Sequence, residues 1–226
     1  MPDSSRDSRT HIGRSVDRLI NFSDAVVAVA VTLLALPLVD IAGPSGDQTL
    51  LDILGAHAGE IGAFLFTFYV VALMWLVHNR ILNSITNYDG TLFWMNASWL
   101  VVIVLLPWIS SMYGTGSGDY PSVGFAYWAA LALVSSLTSL MSYHLRHHPE
   151  LLADDAPRFT PAEQKRLAWR GPVLGAYFLI IGIVWLISPG IAAYLPFGII
   201  PLSIWLRPAR VPISKASQDA EAPEPQ

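Results

Sequence analysis

The sequence predicts an all-helical membrane protein that crosses the bilayer six times, with both ends on the cytoplasmic side. Hydrophobic residues make up 53% of the chain, charged residues only 13%, and the mean hydropathy is +0.47. A soluble domain has about 25% charged residues. We therefore expect lipid, not water, to surround most of this chain.

Six stretches approach the roughly 20 apolar residues that a helix needs to cross the hydrocarbon core. They are residues 15–39, 56–82, 91–113, 123–145, 167–187 and 191–206. A soluble helical bundle is disfavoured because residues 64–77 and 99–109 offer almost no polar face. Residues 14–207 are predicted to form one transmembrane domain. The polar ends, 1–13 and 208–226, are predicted to be disordered.

Positive charge is segregated along the chain. All 13 Lys and Arg residues lie before or just inside the first span, at the end of the second, between the fourth and fifth or just inside the fifth, or after the sixth. The opposite loops and span ends carry acids instead: Asp40, Asp47, Asp52, Glu60 and Asp119. Because Lys and Arg accumulate on the cytoplasmic side, this pattern predicts six spans with both termini inside.

Composition argues against several kinds of function. The chain has no Cys, which excludes disulfides, thiolate metal sites and Cys nucleophiles. A net charge of −4 argues against nucleic acid as a partner. His57 and His78 lie 21 residues apart, about one membrane thickness along a helix, so they cannot ligate one metal.

A second group of histidines, His144, His147 and His148, superficially suggests a metal site. No carboxylate or Cys stands near them at the spacing that metal ligands need. They are interpreted as a juxtamembrane cationic patch. Neither a cofactor nor an enzymatic activity is predicted.

The first span has two different faces. A helix that begins at Phe22 places one aliphatic stripe on one side, formed by Ala25, Val29, Thr32, Leu33 and Leu36. Asp40 extends this stripe at the outer end, although Pro37 could turn it away. Asp24 points nearly the opposite way, among small residues that would let neighbouring helices approach closely.

An ionisable residue within a span is costly and needs a partner. Arg18 is six positions from Asp24, so the two cannot pair along one helix face. We expect a buried network of Ser23, Asp24, His78 and Asn96 that holds the first helix against the second and third. Asn79 is a further candidate partner, and the alternative is an Asp24 wetted at the interface.

The run R-x-x-x-F-S-D-A-V-x-A-V-A-x-T-L-L, which begins at Arg18 and contains Phe22, Ser23 and Asp24, closely resembles the signature of the transmembrane protein 175 family of potassium-permeable channels. Later positions agree with the family pattern: Trp75, His78, Tyr88, Asp89, Asn96 and the Leu106–Pro107 step. The resemblance covers the first three predicted helices. Beyond about Met112 it rests on helix count alone.

The resemblance implies a channel without a TVGYG filter, and no such motif occurs in this chain. Single-repeat prokaryotic members are homotetramers with four first helices around a central pore. Carried over by position, the hydrophobic constriction falls on Val29, Leu33 and Leu36, with Thr32 as a hydroxyl layer. The expected permeant ion is K⁺, and the expected location is the cell membrane, multi-pass, of a bacterium.

Two roles stay open for the charged ends of the first span. Asp40 could form an acidic ring at the outer mouth that concentrates cations. Arg18 would lie near the cytoplasmic mouth, where it would snorkel or pair with an acid.

The alternative function is a proton-coupled secondary transporter with Asp24, His57, Glu60 and His78 as a relay. Transporters usually show paired repeats and helices broken at the membrane midplane. Neither feature is clear in this sequence, so the channel is favoured.

Overall fold

The computed structural model describes residues 4–41, 43–116, 119–153 and 161–198. Within these ranges the chain forms helices joined by short connections. They are α1 (Ser4–Leu33), α2 (Leu36–Val39), α3 (Leu50–Ala56), α4 (Ala58–Leu82), α5 (Gly90–Gly116), α6 (Pro121–His147), α7 (Pro161–Ile187) and α8 (Pro189–Ala192). Single 3₁₀ turns lie at Pro149–Leu151 and Leu195–Gly198.

Four stretches of the described chain are long and apolar enough to cross a membrane. They are Ser15–Val39, Ala58–Leu82, Gly90–Thr115 and Pro121–His147, and they confirm the first four predicted spans within a few residues. The fifth predicted span lies in α7, whose apolar part is Gly171–Ile187. The count of six and the side on which the termini lie stay predictions.

The sixth predicted span differs from the structure. Residues 191–198 do not continue one helix: α8 ends at Ala192 and a separate 3₁₀ turn follows at Leu195–Gly198. Pro196 lacks a backbone N–H and cannot close the α-helical bond to Ala192. Residues 199–206, like the predicted tail at 208–226, lie outside the described residues.

The amino-terminal end also differs from the prediction. Residues 4–13, which were expected to be disordered, form the first turns of α1. Residues 4–12 contain neither Pro nor Gly. Once the apolar part of α1 has formed, extending it costs much less than starting a new helix, so a polar stretch can continue it.

The carboxyl-terminal end of the first span is broken. Pro37 has no N–H to donate to the carbonyl of Leu33. On either side of the break, the backbone N–H groups bond to the carbonyl three residues earlier instead of four. The N–H of Ala35 donates to Thr32 over 3.2 Å, and that of Leu38 donates to Ala35 over 3.0 Å. The predicted single helix 15–39 is therefore α1 followed by the short α2.

The long helices pack around two apolar clusters. The larger cluster fills the middle of the bundle with aromatic residues of α5, α6 and α7, among them Trp99, Tyr127, Trp128, Phe178 and Trp185. The smaller cluster lies at the opposite end of α4 from Gly59 and contains Val16, Leu82, Leu92, Met141 and Leu145. At Gly59, α4 and α5 touch: a Cβ there would lie 2.7 Å from the carbonyl oxygen of Gly114.

The α4–α5 and α6–α7 connections are tied together. Ile85 and Leu152 form an antiparallel bridge. The N–H of Thr86 donates to Leu151 over 2.9 Å, and that of Ala153 donates to Ser84 over 2.9 Å. Both connections therefore lie at the same end of the bundle, as the charge pattern predicts.

Candidate functional site

The helix α1 lies in the groove between α4 and α5 and leaves one side uncovered. Its buried side presents Val16, Leu19, Ser23, Val27 and Ala30, and Leu34 continues this side just after the helix ends. The opposite side is exposed in this single chain: Val29 is 59%, Leu33 43% and Leu36 57% exposed. The stripe predicted from periodicity is thus the side that no other part of the described chain covers.

One hydroxyl interrupts this aliphatic stripe. Thr32 is exposed, and its Oγ1 donates to the carbonyl of Val29 over 2.7 Å. The hydroxyl proton is therefore used within the helix, which leaves the oxygen lone pairs directed away from it. Thr32 can offer a cation an oxygen ligand, whereas Val29, Leu33 and Leu36 can offer none.

A buried polar network holds the inner side of α1. The amide nitrogen of Asn96 donates to Ser23 Oγ over 3.0 Å, and Ser23 Oγ lies 2.9 Å from the carbonyl of Leu19. Nε2 of His78 lies 2.7 Å from Oδ1 of Asn96. The His78 ring stacks on Trp99 with centroids 3.9 Å apart. Ser23, His78 and Asn96 are all essentially inaccessible to solvent.

The geometry defines the protonation of His78. An amide oxygen only accepts, so Nε2 carries the hydrogen in this contact. Nδ1 of His78 is buried and has no hydrogen-bond partner among the described residues. That is the nitrogen without a hydrogen in a neutral imidazole, so the site suits a neutral ring that acts as a donor to Asn96.

Asp24 does not belong to this network, contrary to the prediction. Its Oδ1 accepts from Nε1 of Trp75 over 2.7 Å, and Nδ2 of Asn79 lies 3.2 and 3.3 Å from the two carboxylate oxygens. Neighbouring residues on a helix point about 100° apart, so Ser23 reaches α5 while Asp24 reaches α4. The signal available in the sequence was the pair Trp75 and Asn79, which share one face of α4 at a spacing of four.

The remaining predicted residues lie at the two ends of the span. Phe22 and Arg18 are exposed at the end where the polar network lies. Asp40 is exposed at the far end, where its N–H caps α2 by donating to Leu38. The prediction that Asp40 lies in line with Val29 assumed one continuous helix. Because α1 ends at Leu33 and α2 begins at Leu36, that assumption does not hold.

The residues of the alternative proton relay are not brought together. Nδ1 of His57 lies 3.0 Å from Oε2 of Glu60 at the start of α4. His78 lies 18 residues after Glu60, about 27 Å along the same helix. His57 and Glu60 therefore cannot exchange a proton directly with Asp24 or His78.

Two of the three histidines near the end of α6 contact acids, which the cationic-patch interpretation missed. Nε2 of His144 lies 2.8 Å from Oδ2 of Asp89, and Nδ1 of His148 lies 2.9 Å from Oε1 of Glu150. Within the described residues, no group of three or more His, Cys, Asp or Glu side chains converges as metal ligands do.

A second polar cluster was not predicted. Oγ1 of Thr67 lies 2.7 Å from the Tyr127 hydroxyl and 2.9 Å from Oγ of Ser110, which joins α4, α5 and α6. The Tyr127 ring also stacks on Tyr113 with centroids 4.3 Å apart. Single Ser, Thr and Tyr residues in apolar spans are too common for the sequence to have indicated this cluster.

Comparison with known proteins supports the resemblance carried by the FSD motif. Residues 18–107 match the family model described as "Endosomal/lysosomal potassium channel TMEM175". The mouse "Endosomal/lysosomal proton channel TMEM175" is 28% identical over 178 residues, which cover 76% of this chain and 36% of the mouse protein. A potassium channel of Streptomyces collinus is 34% identical over 97 residues, 42% of this chain and 46% of that protein. The chain thus spans less than half the length of these curated relatives.

The fold also matches a solved structure. The "lysosomal potassium-selective channel TMEM175 homolog from Chamaesiphon Minutus" superposes with a TM-score of 0.68. The match covers 86% of this chain and 100% of that chain at 19% sequence identity. At this identity the comparison establishes a shared helical architecture.

Proposed function

We propose that this chain is a TMEM175-type channel, since residues 18–107 match that family model, and that it forms a potassium-permeable cation channel in the cell membrane. The pore is lined by α1 from each copy of a homotetramer. The observation that carries the proposal is the uncovered row of Val29, Leu33 and Leu36 on a helix whose other sides are held by polar contacts.

This row acts as a hydrophobic constriction. When four copies meet, aliphatic side chains surround the axis and offer an ion no oxygen ligand, so a narrow ring blocks conduction by losing its water. Permeation requires the ring to widen until a hydrated or partly hydrated ion passes. Selectivity then comes mainly from the Thr32 layer and is modest.

The ends of the pore have opposite chemistry. At the outer end Asp40 and the other acids of the loops raise the local cation concentration. At the inner end Arg18 is exposed beside the mouth, where its side chain reaches toward lipid headgroups.

Leu33→Ala tests the constriction. The substitution removes most of the side chain from the ring, so we expect a higher single-channel conductance and a lower K⁺ over Na⁺ preference in planar bilayers. Leu133→Ala is the matched control, because Leu133 is comparably exposed but lies on α6. Unchanged conductance and ion preference in Leu33→Ala would remove the pore assignment.

The same recordings separate the channel from the transporter and K⁺ from H⁺. A channel current grows with ion concentration and follows the electrochemical gradient, whereas coupled transport saturates and drives one ion against its gradient. The vertebrate relatives are named proton channels, so reversal potentials are measured with K⁺ and H⁺ gradients in turn. A reversal potential that follows only the H⁺ gradient would replace K⁺ with H⁺ in the proposal.

A further inference from the structure

Two exposed faces lie on either side of the stripe of α1. Asp24 connects α1 to Trp75 and Asn79 of α4, and Ser23 connects it to Asn96 of α5. The outward face of α4 carries Leu65, Tyr69, Leu73 and Leu76, and that of α5 carries Trp94, Val101, Val104 and Trp108. Around the protomer, the α4 face, the α1 stripe and the α5 face follow one another.

Well inside the span, each of these two faces presents a polar group that lipid cannot satisfy. Tyr69 is 66% exposed, and its hydroxyl has no hydrogen-bond partner among the described residues. Trp108 is 63% exposed, and the same holds for its indole N–H. Tyr69 lies 11 residues from the start of α4, about 16 Å along the helix. A donor or acceptor at this depth is costly to leave unpaired in hydrocarbon.

The two groups lie at the same depth and complement each other. Thr67 of α4 contacts Ser110 of α5, and these helices run antiparallel, so Tyr69 is level with the turn that contains Trp108. An indole N–H only donates, whereas a tyrosine hydroxyl can accept. Because the two residues occupy different faces of one protomer, they can meet only between copies related by rotation.

We propose that the α4 face of one copy packs against the α5 face of the next, with the Trp108 N–H donating to the Tyr69 hydroxyl. This contact is heterologous, and repeated rotation closes it into a ring with α1 toward the axis. The inference rests on the proposed pore, since it takes the α1 stripe as the side that faces the axis.

Cysteine cross-linking tests the contact directly, because the natural chain contains no Cys. In membranes, the double variant Tyr69→Cys with Trp108→Cys is treated with a short bifunctional maleimide. We expect a ladder of covalent dimer, trimer and tetramer. Co-expressed single variants should yield dimers only, and each single variant alone should yield none.

A second cysteine pair on the same two faces and a control pair make the test independent of the substitutions at Tyr69 and Trp108. Leu73 and Val104 occupy the same two faces nearer the other end, so Leu73→Cys with Val104→Cys should give the same ladder. The control joins Tyr69→Cys to Ile180→Cys. Ile180 is exposed on α7 at a similar depth, because Gly182 of α7 lies against Trp128 and Thr67 contacts the neighbouring Tyr127. This control pair should give no ladder.

Removing the polar atoms measures the hydrogen bond itself. Tyr69→Phe and Trp108→Phe should each lower the association constant per interface roughly threefold, the size typical of a hydrogen bond between membrane helices. The double variant should be no weaker than either single variant, because both remove the same bond. Additive losses would overturn the pairing.

The outcomes distinguish this contact from the proposed function. Dimers from either single cysteine variant, or no ladder from both face pairs in protein that still conducts K⁺, would overturn the interface and leave the channel standing. A ladder in protein that carries no ion current would support the interface and overturn the channel.

Discussion

The two sides of α1 differ in polarity and in whether the rest of the described chain covers them. On the inner side, Ser23 and Asp24 each find polar partners on α5 and α4 within the same chain. On the other side Val29, Leu33 and Leu36 are left uncovered, and Thr32 satisfies its own proton within the helix. The comparison shows that α1 uses its polar groups for contacts within the chain and leaves an aliphatic surface that the described residues do not cover.

The largest effect on stability is expected from Asn96→Ala. Asn96 bonds both Ser23 and His78 in a solvent-free site, so its loss leaves Nε2 of His78 unpaired and Ser23 bonded only to the carbonyl of Leu19. We expect a loss of about 1 to 3 kcal/mol of unfolding free energy, measured by chemical denaturation in detergent micelles. Ser98→Ala, an exposed position on the same helix, is the control and should change little.

An Asn96→Ala protein as stable as the wild type would contradict the contrast drawn between the two sides of α1. It would mean that the polar side of α1 does not hold the helix in place and that packing alone does so.

Asp24→Asn is expected to have a smaller effect, of about 1 kcal/mol. The amide can still accept from Trp75, but it presents a second NH₂ group to Asn79. The fraction of assembled oligomer in mild detergent should fall, while the ion preference of the remaining channels stays as in the wild type. A changed ion preference with normal assembly would place Asp24 in the ion path. The Asp24 side of α1, and not the side of Val29 and Leu33, would then face the pore.

Asp89→Asn should give the smallest effect, because this acid lies at the surface near the inner end of α1. Desolvation raises the pKa of Asp89, but the Leu92 N–H and His144 outweigh it and hold the pKa below its ordinary value. The stabilisation is therefore present above about pH 4 and is lost as the pH falls through the folded-state pKa.

For this partly exposed pair we expect a few tenths of a kcal/mol. The measurement is the melting temperature between pH 3 and 6, where Asp89→Asn should flatten the acid-side slope. Asp47→Asn is the matched control, because Asp47 is an exposed acid between α2 and α3 that makes no hydrogen bond or ion pair with the described residues. An equal change of slope in both variants would show that the contacts of Asp89 with Leu92 and His144 do not stabilise the fold.

Much of the transmembrane architecture could be predicted because lipid imposes a simple rule on composition. The first four spans and the uncovered stripe of α1 follow from residue type and helical period, and the family resemblance follows from the motif that begins at Arg18. The family match extends over the FSD motif and ends at Pro107, close to the point where the sequence resemblance fades.

Other features depended on distance between helices, which periodicity does not contain. The sequence placed Asp24 with His78 and Asn96, whereas rotation by one residue sends it to Trp75 and Asn79. The Thr67, Ser110 and Tyr127 cluster likewise requires three helices to meet. Asp89, which contacts His144, comes from the distant α4–α5 connection, whereas Glu150 lies only two residues after its partner His148.

The sequence by itself determined which segments of this protein leave water and which side of α1 is aliphatic, because hydrophobic burial and helical period are local properties of the chain. Only the tertiary structure decided which polar side chains meet, since a hydrogen bond depends on the rotation and depth of two helices to within about an ångström. It also showed which helix faces the described residues leave uncovered, because coverage depends on how whole helices pack.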